Sequence, residues 1–297
     1  MKVNTTYEPY SQQPEYLDAN RELLRTLSLD SVRQVLDLAC GTGVMTSLLF
    51  ELKPDISVIG IDLSAQSLEI AREDFQQKKL LVDDKTSLDA VLKSGKGSVM
   101  LMQGSADELP FESESVDLVV MGGAIHLISD KHKLLSNIQR VLRFGGMFTF
   151  NTVFYVGTYP EGTEKVYTEW LKESLAVLEK KNEELRAAGK ETIKRQRGKV
   201  GRAFDKGWMS PSEWGELLKI HGLVVNREYQ RSVMMTKQSF ETVGAYGGLS
   251  EVLMSGYPVE IASECLQEGA NRAFSNLGIT EIPRYWLEIV AVKQRSN

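Results

Sequence analysis

Apolar residues fall into two kinds of block along the first half of the chain. Short uninterrupted apolar runs occur at 34–40 (QVLDLAC), 57–64 (SVIGIDLS), 99–104 (VMLMQG), 116–122 (VDLVVMG) and 145–154 (GGMFTFNTVF). Each is too short for a helix and is bounded by turn residues, which predicts buried strands. Between them lie stretches with apolar residues at helical spacing. Residues 14–29 place Leu17, Leu23, Leu24 and Leu27 near one face, and the segment after Gly43 carries Met45, Leu48 and Leu49 on one side. Ser64 is a predicted N-cap for 65–78, and Asp130 caps a helix carrying Leu134, Leu135, Ile138, Val141 and Leu142. Strand–helix repetition with short connectors predicts a parallel sheet covered by helices on both faces.

The second half is patterned differently. Residues 163–188 read as one long helix, with Tyr167, Trp170, Leu171, Leu175, Leu178 and Leu185 on its stripe and Gly189 at its end. SPSE at 210–213 is a capping box with Pro211 at the first helical position, opening a helix that runs to about His221 and Gly222. Residues 223–233 read as a strand. Residues 237–276 read as mostly helical, broken around Gly247, Gly248 and 256–258, and 284–293 read as a closing strand. There is no internal repeat and no low-complexity linker.

Composition narrows the class. The 297 residues are 42% hydrophobic and 25% charged, which suits a soluble globular protein of one large or two small domains. A net charge of -5 gives no general electrostatic reason to bind nucleic acid, so a nucleic-acid partner is not expected. Two cysteines, Cys40 and Cys265, cannot build a framework of bridges. The N-terminus lacks the apolar core of a signal peptide, and no apolar run approaches the roughly 18 residues of a membrane helix. A cytoplasmic location is the expectation. Three histidines and two scattered cysteines offer no metal-ligand cluster, although carboxylates alone could hold magnesium.

The feature that carries chemistry is VLDLACGTG at 35–43. A strand, a glycine turn and a helix let backbone approach a ligand and offer it a positive helix N-terminus. The third glycine of a G-x-G-x-x-G fingerprint is absent, because position 46 is Thr, and no Lys-Ser or Lys-Thr follows as in a phosphate-binding loop. Asp37 ends the strand just before the turn. A negative charge there opposes a pyrophosphate but suits an ammonium or sulfonium group. Asp62 ends the second strand, where nucleoside-binding α/β folds place a carboxylate on ribose hydroxyls.

Taken together, VLDLACGTG, IDLS, GSADELPF, VDLVVMGGAIHLI and LRFGGMFTF resemble the motifs of class I S-adenosylmethionine-dependent methyltransferases, over about residues 33–153. Ala39 stands where many members have the first glycine of the turn. The resemblance implies an α/β fold: a doubly wound, mostly parallel seven-stranded sheet, Rossmann-like, with a helical cap. It implies a helical lid at 1–30 and a cofactor-binding core at 31–154. Helical cap insertions are expected at 155–209 and 234–282, a core helix and strand at 210–233, and a final core strand at 283–297. Carried over residue by residue, it places Asp37 near the methionine amino group of S-adenosyl-L-methionine. Ala39, Gly41 and Gly43 form the backbone wall, Asp62 binds the ribose, Leu63 packs on the adenine, and Ala106 and Asp107 lie at the adenine edge. Gly122 and Gly123 lie beside the transferred methyl.

The residues outside these motifs bear on the acceptor. Tyr7, Tyr10, Phe154, Tyr155 and Trp208 are candidate pocket walls, with core packing as the competing reading for each. His126, four residues past Gly122, is the candidate base for a hydroxyl acceptor; its competing role is to cap or pack. His132 reads as a solvated helix residue, and His221 as a complement to a helix dipole. The basic segment 190–202 reads as a solvated face or as a dock for an anionic acceptor. The expected activity is methyl transfer to a small, hydrophobic or aromatic acceptor, with O-methylation first. C-methylation of a small or carrier-bound anionic acceptor is the alternative. A nicotinamide oxidoreductase is opposed by the missing glycine and by Asp37, and a non-catalytic nucleotide-binding protein stays open, as does the oligomeric state.

Overall fold

The computed structural model describes residues 3–83, 86–93, 97–196 and 207–295. In chain order the elements are α1 (Glu8–Ser11), α2 (Pro14–Arg25), β1 (Gln34–Leu38), α3 (Val44–Leu52), β2 (Ser57–Asp62), α4 (Ala65–Gln77), α5 (Leu88–Lys93), β3 (Ser98–Gln103) and β4 (Val116–Gly122). There follow α6 (Lys131–Val141), β5 (Leu142–Thr152), α7 (Glu164–Ala187), α8 (Pro211–Ile220), β6 (Leu223–Thr236), α9 (Lys237–Ala245), α10 (Gly247–Leu253), α11 (Val259–Leu277) and β7 (Glu281–Lys293).

The strands form one seven-stranded sheet in the order β3-β2-β1-β4-β5-β7-β6. Pairs β1–β2, β2–β3, β1–β4 and β4–β5 are parallel, and β7 enters antiparallel to β5. The connections run outward from β1 in both directions, so the chain reverses its strand order between β1 and β4. Ligands in such sheets bind at that switch point, outside the carboxyl ends of the strands.

Compact packing divides the chain into two units. One contains residues 16–156, 208–231 and 286–297. Its central parallel strands are largely apolar: β1 and β2 are buried along nearly their whole length, as sheet strands covered on both faces require. The other contains residues 1–15, 157–207 and 232–285. It has its own core, in which the Phe240 ring lies 4.9 Å from that of Trp170 and 5.0 Å from that of Phe274. The Trp170 indole donates to the Leu266 carbonyl at 2.7 Å. In the same unit the N-terminal strand segment is tied down by Asn4, whose N–H donates to the Ala245 carbonyl and whose carbonyl accepts from Gly247 N–H, both at 2.9 Å.

Several local details depart from the sequence expectation. The first long helix ends at Arg25 rather than 29, where Thr26 and Leu27 donate three residues back and tighten the last turn. β1 stops at Leu38 because Ala39 takes a positive φ of 53°. β5 begins at Leu142, not Gly145, and its register with β4 shifts between Val116 and Leu118. The caps read from sequence at Ser64, Asp130 and Ser210 are all present.

The turn glycines serve different ends. Gly43, at φ 83°, has no room for a side chain: a Cβ there would stand 2.6 Å from the ring of Phe75, which is packed among Cys40, Leu68, Ala71, Val99 and Leu101. Gly41, at φ 54°, has nothing within 4 Å of the same position. Gly43→Ala therefore combines backbone strain with overpacking and should cost about 2–4 kcal/mol, whereas Gly41→Ala should cost only about 1–2 kcal/mol from strain. Urea unfolding of the two variants checks the ranking.

Candidate active site

β1 carries Asp37 to the carboxyl end of the sheet, where it pairs in register with Gly60 of β2 and Val120 of β4. The side chain has no exposed surface. Thr46, in the first turn of α3, donates its hydroxyl to Oδ2 at 2.7 Å. Oδ1 meets no donor among the described residues. Burial pushes the Asp37 carboxyl up to about 7, the Thr46 hydrogen bond works against that rise, and the nearby charge of Asp62 adds to it. A buried acceptor with an unused oxygen is costly unless something cationic or donating completes it.

The turn itself is built from three positive-φ residues, Ala39, Gly41 and Gly43. Its N–H groups are held by the neighbouring strand. Asp62 accepts from Gly41 N–H through Oδ2 and from Ser64 N–H through Oδ1, each at 2.8 Å. Both oxygens are thereby oriented, and each keeps a second lone pair for a ligand hydroxyl. The open space beside Gly41 adjoins this carboxylate. Leu63, next in sequence, is 71% exposed. Ala106 is buried, and Asp107 is held by the Ser105 hydroxyl at 2.5 Å and lies 3.4 Å from the Lys133 ammonium. The Ser105 hydrogen bond and the Lys133 charge hold the Asp107 carboxyl below its usual range.

Beyond β4 the chain turns at Gly122 and Gly123 into a short 3-10 segment, Ile125–Leu127, that carries His126. The His126 ring lies 4.1 Å from that of Phe154, which in turn lies 5.9 Å from Trp208. Three residues singled out from separate stretches of sequence thus meet in one cluster. Tyr155 is fully buried. Tyr7 and Tyr10 lie in the other unit, where Tyr7 stands 5.1 Å from Tyr10 and 5.3 Å from Tyr246. The Tyr10 hydroxyl donates to Met235 Sδ at 3.1 Å.

Sequence reasoning passed over four polar residues here: Tyr16, Asn20, Thr46 and Asn151. All are buried. Burial and the charge of Asp37 push the Tyr16 hydroxyl up to about 12, so it stays neutral. The readable signs were Asn20 on the apolar face of α2 and Asn151 inside an apolar strand. His221 also differs from expectation. It pairs with His132 across 2.9 Å, and partial burial and that neighbour depress it, so it is no fixed cation for a helix dipole. Phe204 and residues 197–202 of the basic segment lie outside the described residues. Among the described residues no group of three or more potential ligands gathers to hold a metal.

Residues 36–150 match the family model described as a methyltransferase domain. Over this core the chain is similar to methyltransferase domains. A demethylmenaquinone methyltransferase of Lactiplantibacillus plantarum is 35% identical over 126 residues, covering 42% of this chain and 47% of that protein. The chain thus matches about half the length of this relative. Among solved structures, the YcgJ protein from Bacillus subtilis superposes with a TM-score of 0.53 at 18% identity, covering 94% of this chain and all of that one. The [4+2]-cyclase SpnF superposes equally well, at 0.53 and 14% identity, covering 95% of this chain and 82% of that one. Likeness at this level concerns the fold alone.

The site at the switch point fits S-adenosylmethionine on its own residues. Asp37 Oδ1 awaits a cationic donor, Gly41 leaves space, and Asp62 presents an oriented carboxylate. An ammonium group beside Asp37 requires the carboxylate form. Affinity for S-adenosylhomocysteine should therefore fall as pH drops through about 7, and calorimetry should record proton release on binding near that pH. The ligand-free protein runs the other way. A carboxyl raised in the folded state stabilises it below the unfolded value, and that contribution is lost as pH rises through about 7. Asp37→Asn should remove both dependences, raising ligand-free stability at pH 8 while abolishing ligand binding.

Proposed function

We propose that the protein transfers a methyl group from S-adenosylmethionine to a small, hydrophobic or aromatic acceptor, with a hydroxyl oxygen as the methylated atom. The observation that carries this reading is Asp37, a fully buried carboxylate with one oxygen unsatisfied at the switch point of the sheet. A dinucleotide would bring a pyrophosphate to this turn, and a buried negative charge repels it. When bound, the cofactor supplies an electrophilic methyl on a sulfonium sulfur.

The remaining work falls to the chain. Asp37 receives the ammonium group and Asp62 the ribose hydroxyls, while Ala39, Gly41 and Gly43 leave backbone room between them. Leu63 covers the adenine, whose edge meets Ala106 and Asp107. Gly122 keeps the mouth of β4 free of a side chain. His126 accepts the proton that the acceptor hydroxyl loses, and Phe154 and Trp208 supply aromatic faces beside it. Tyr7, Tyr10 and Tyr155 are proposed acceptor contacts as well. The helical segments at 155–209 and 234–282 are proposed to carry acceptor specificity. The name of the relatives favours a second reading, a quinone-like acceptor methylated at a ring carbon.

Thermal melting separates these readings from other classes. A cofactor at about 100 times its dissociation constant adds about 2.7 kcal/mol of stability. S-adenosylhomocysteine should produce that shift, NADH should not, and Asp62→Ala should abolish it. The reverse selectivity refutes the reading. Mass spectrometry of aromatic hydroxy compounds and quinols incubated with labelled cofactor distinguishes O- from C-methylation. His126→Ala should lower O-methylation by about 10²–10⁴-fold if the imidazole is the base.

A further inference from the structure

Beneath the proposed catalytic turn runs a chain of amide groups. The Gly123 N–H donates to Asn151 Oδ1 at 2.8 Å, Asn151 Nδ2 donates to Asn20 Oδ1 at 2.8 Å, and Asn20 Nδ2 donates to the Tyr16 carbonyl at 2.8 Å. Both asparagine side chains are wholly buried. The donors all point the same way, so each amide polarises the next. The relay begins at a residue held in the left-handed region, with Gly123 at φ 62°. The space beside the preceding Gly122 is tight. A Cβ on Gly122 would stand 2.7 Å from Met45 Cγ and 3.8 Å from Asn20 Oδ1, and a Cβ on Gly123 would stand 3.5 Å from the Tyr16 hydroxyl.

This arrangement costs more than packing alone demands. Two buried amides on an apolar helix face and an apolar strand could be replaced by leucines of similar volume with little loss of stability, provided both went together. What leucines could not do is hold the Gly123 N–H. That N–H fixes the peptide plane from which the His126 segment departs, two residues before Ile125 begins the 3-10 turn.

We infer that Asn20 and Asn151 are positioning residues: through the Gly123 N–H they set the departure angle of the turn that places His126 against Phe154. The inference rests on the proposed role of His126 for its purpose, but its geometry stands without it. α2 thereby takes part in the site through a buried face. A substitution that perturbs the helix face at Asn20 reaches His126 by way of Asn151, without touching the histidine.

The test uses three variants: Asn20→Leu, Asn151→Leu and the double replacement. Each single change leaves a buried amide group unpaired and should lower the melting temperature. The double change removes both amides and should recover much of that loss, a non-additive pair. Position is read from the His126 imidazole C–H resonances, which are tractable because the chain has three histidines and His126→Gln identifies the signal. In the wild type the Phe154 ring, 4.1 Å away and tilted by 41°, displaces this signal, and Phe154→Leu gives its undisplaced position. The double variant should show the His126 signal moved most of the way to that reference despite its recovered stability. Its affinity for S-adenosylhomocysteine should stay within about threefold of wild type, a difference under 1 kcal/mol. A double variant with wild-type His126 resonances shows the asparagines to be structural only and overturns the proposal. Failure of the wild type to bind S-adenosylhomocysteine would instead sink the proposed function, leaving the His126 readout intact.

Discussion

One carboxylate with no access to water organises the carboxyl end of this sheet. Asp37 is placed there by a strand whose other buried residues are apolar, and its compensation comes from Thr46 at the start of α3. Much of the surrounding chemistry follows from that cost. The charge of Asp37 helps to keep Tyr16 protonated, and burial holds Asp37 itself near the point of titration. A neutral residue at the same place would make the fold more stable and leave nothing to recognise a cation. The site trades folding energy for an unfilled hydrogen-bonding demand, a common arrangement where a ligand completes the structure.

A second buried charge lies farther along the sheet and is handled in the opposite way. Glu288 of β7, directly across from Asn151 of β5, is met by the Arg231 guanidinium of β6 through two hydrogen bonds. Burial lifts the Glu288 carboxyl and Arg231 opposes that rise. Here the chain supplies its own counter-charge, so the pair is complete without a ligand. The contrast between Asp37, left open, and Glu288, closed by Arg231, separates recognition from architecture using the same functional group.

The parallel core was readable because its signals are local. Short apolar runs, capping residues at Ser64, Asp130 and Ser210, and the turn glycines each report on a few neighbouring residues, and each was found in place. The strand–turn–helix that carries Asp37, Gly41 and Gly43 was readable for the same reason. Asn20 and Asn151 were not, because their meaning depends on a contact across 131 positions of sequence. Alone, each looks like a polar residue misplaced on an apolar face.

The order of strands has a consequence for how the protein is made. β7 follows β6 in the chain yet lies between β5 and β6 in the sheet. While the ribosome is still producing α9, α10 and α11, β6 has no neighbour in the sheet to join. Asn4 must likewise wait for Ala245 and Gly247 before its backbone groups find partners. The nascent chain therefore carries an unpaired strand and a loose N-terminal segment until its late residues emerge, so chaperone demand and aggregation during synthesis should concentrate in that interval.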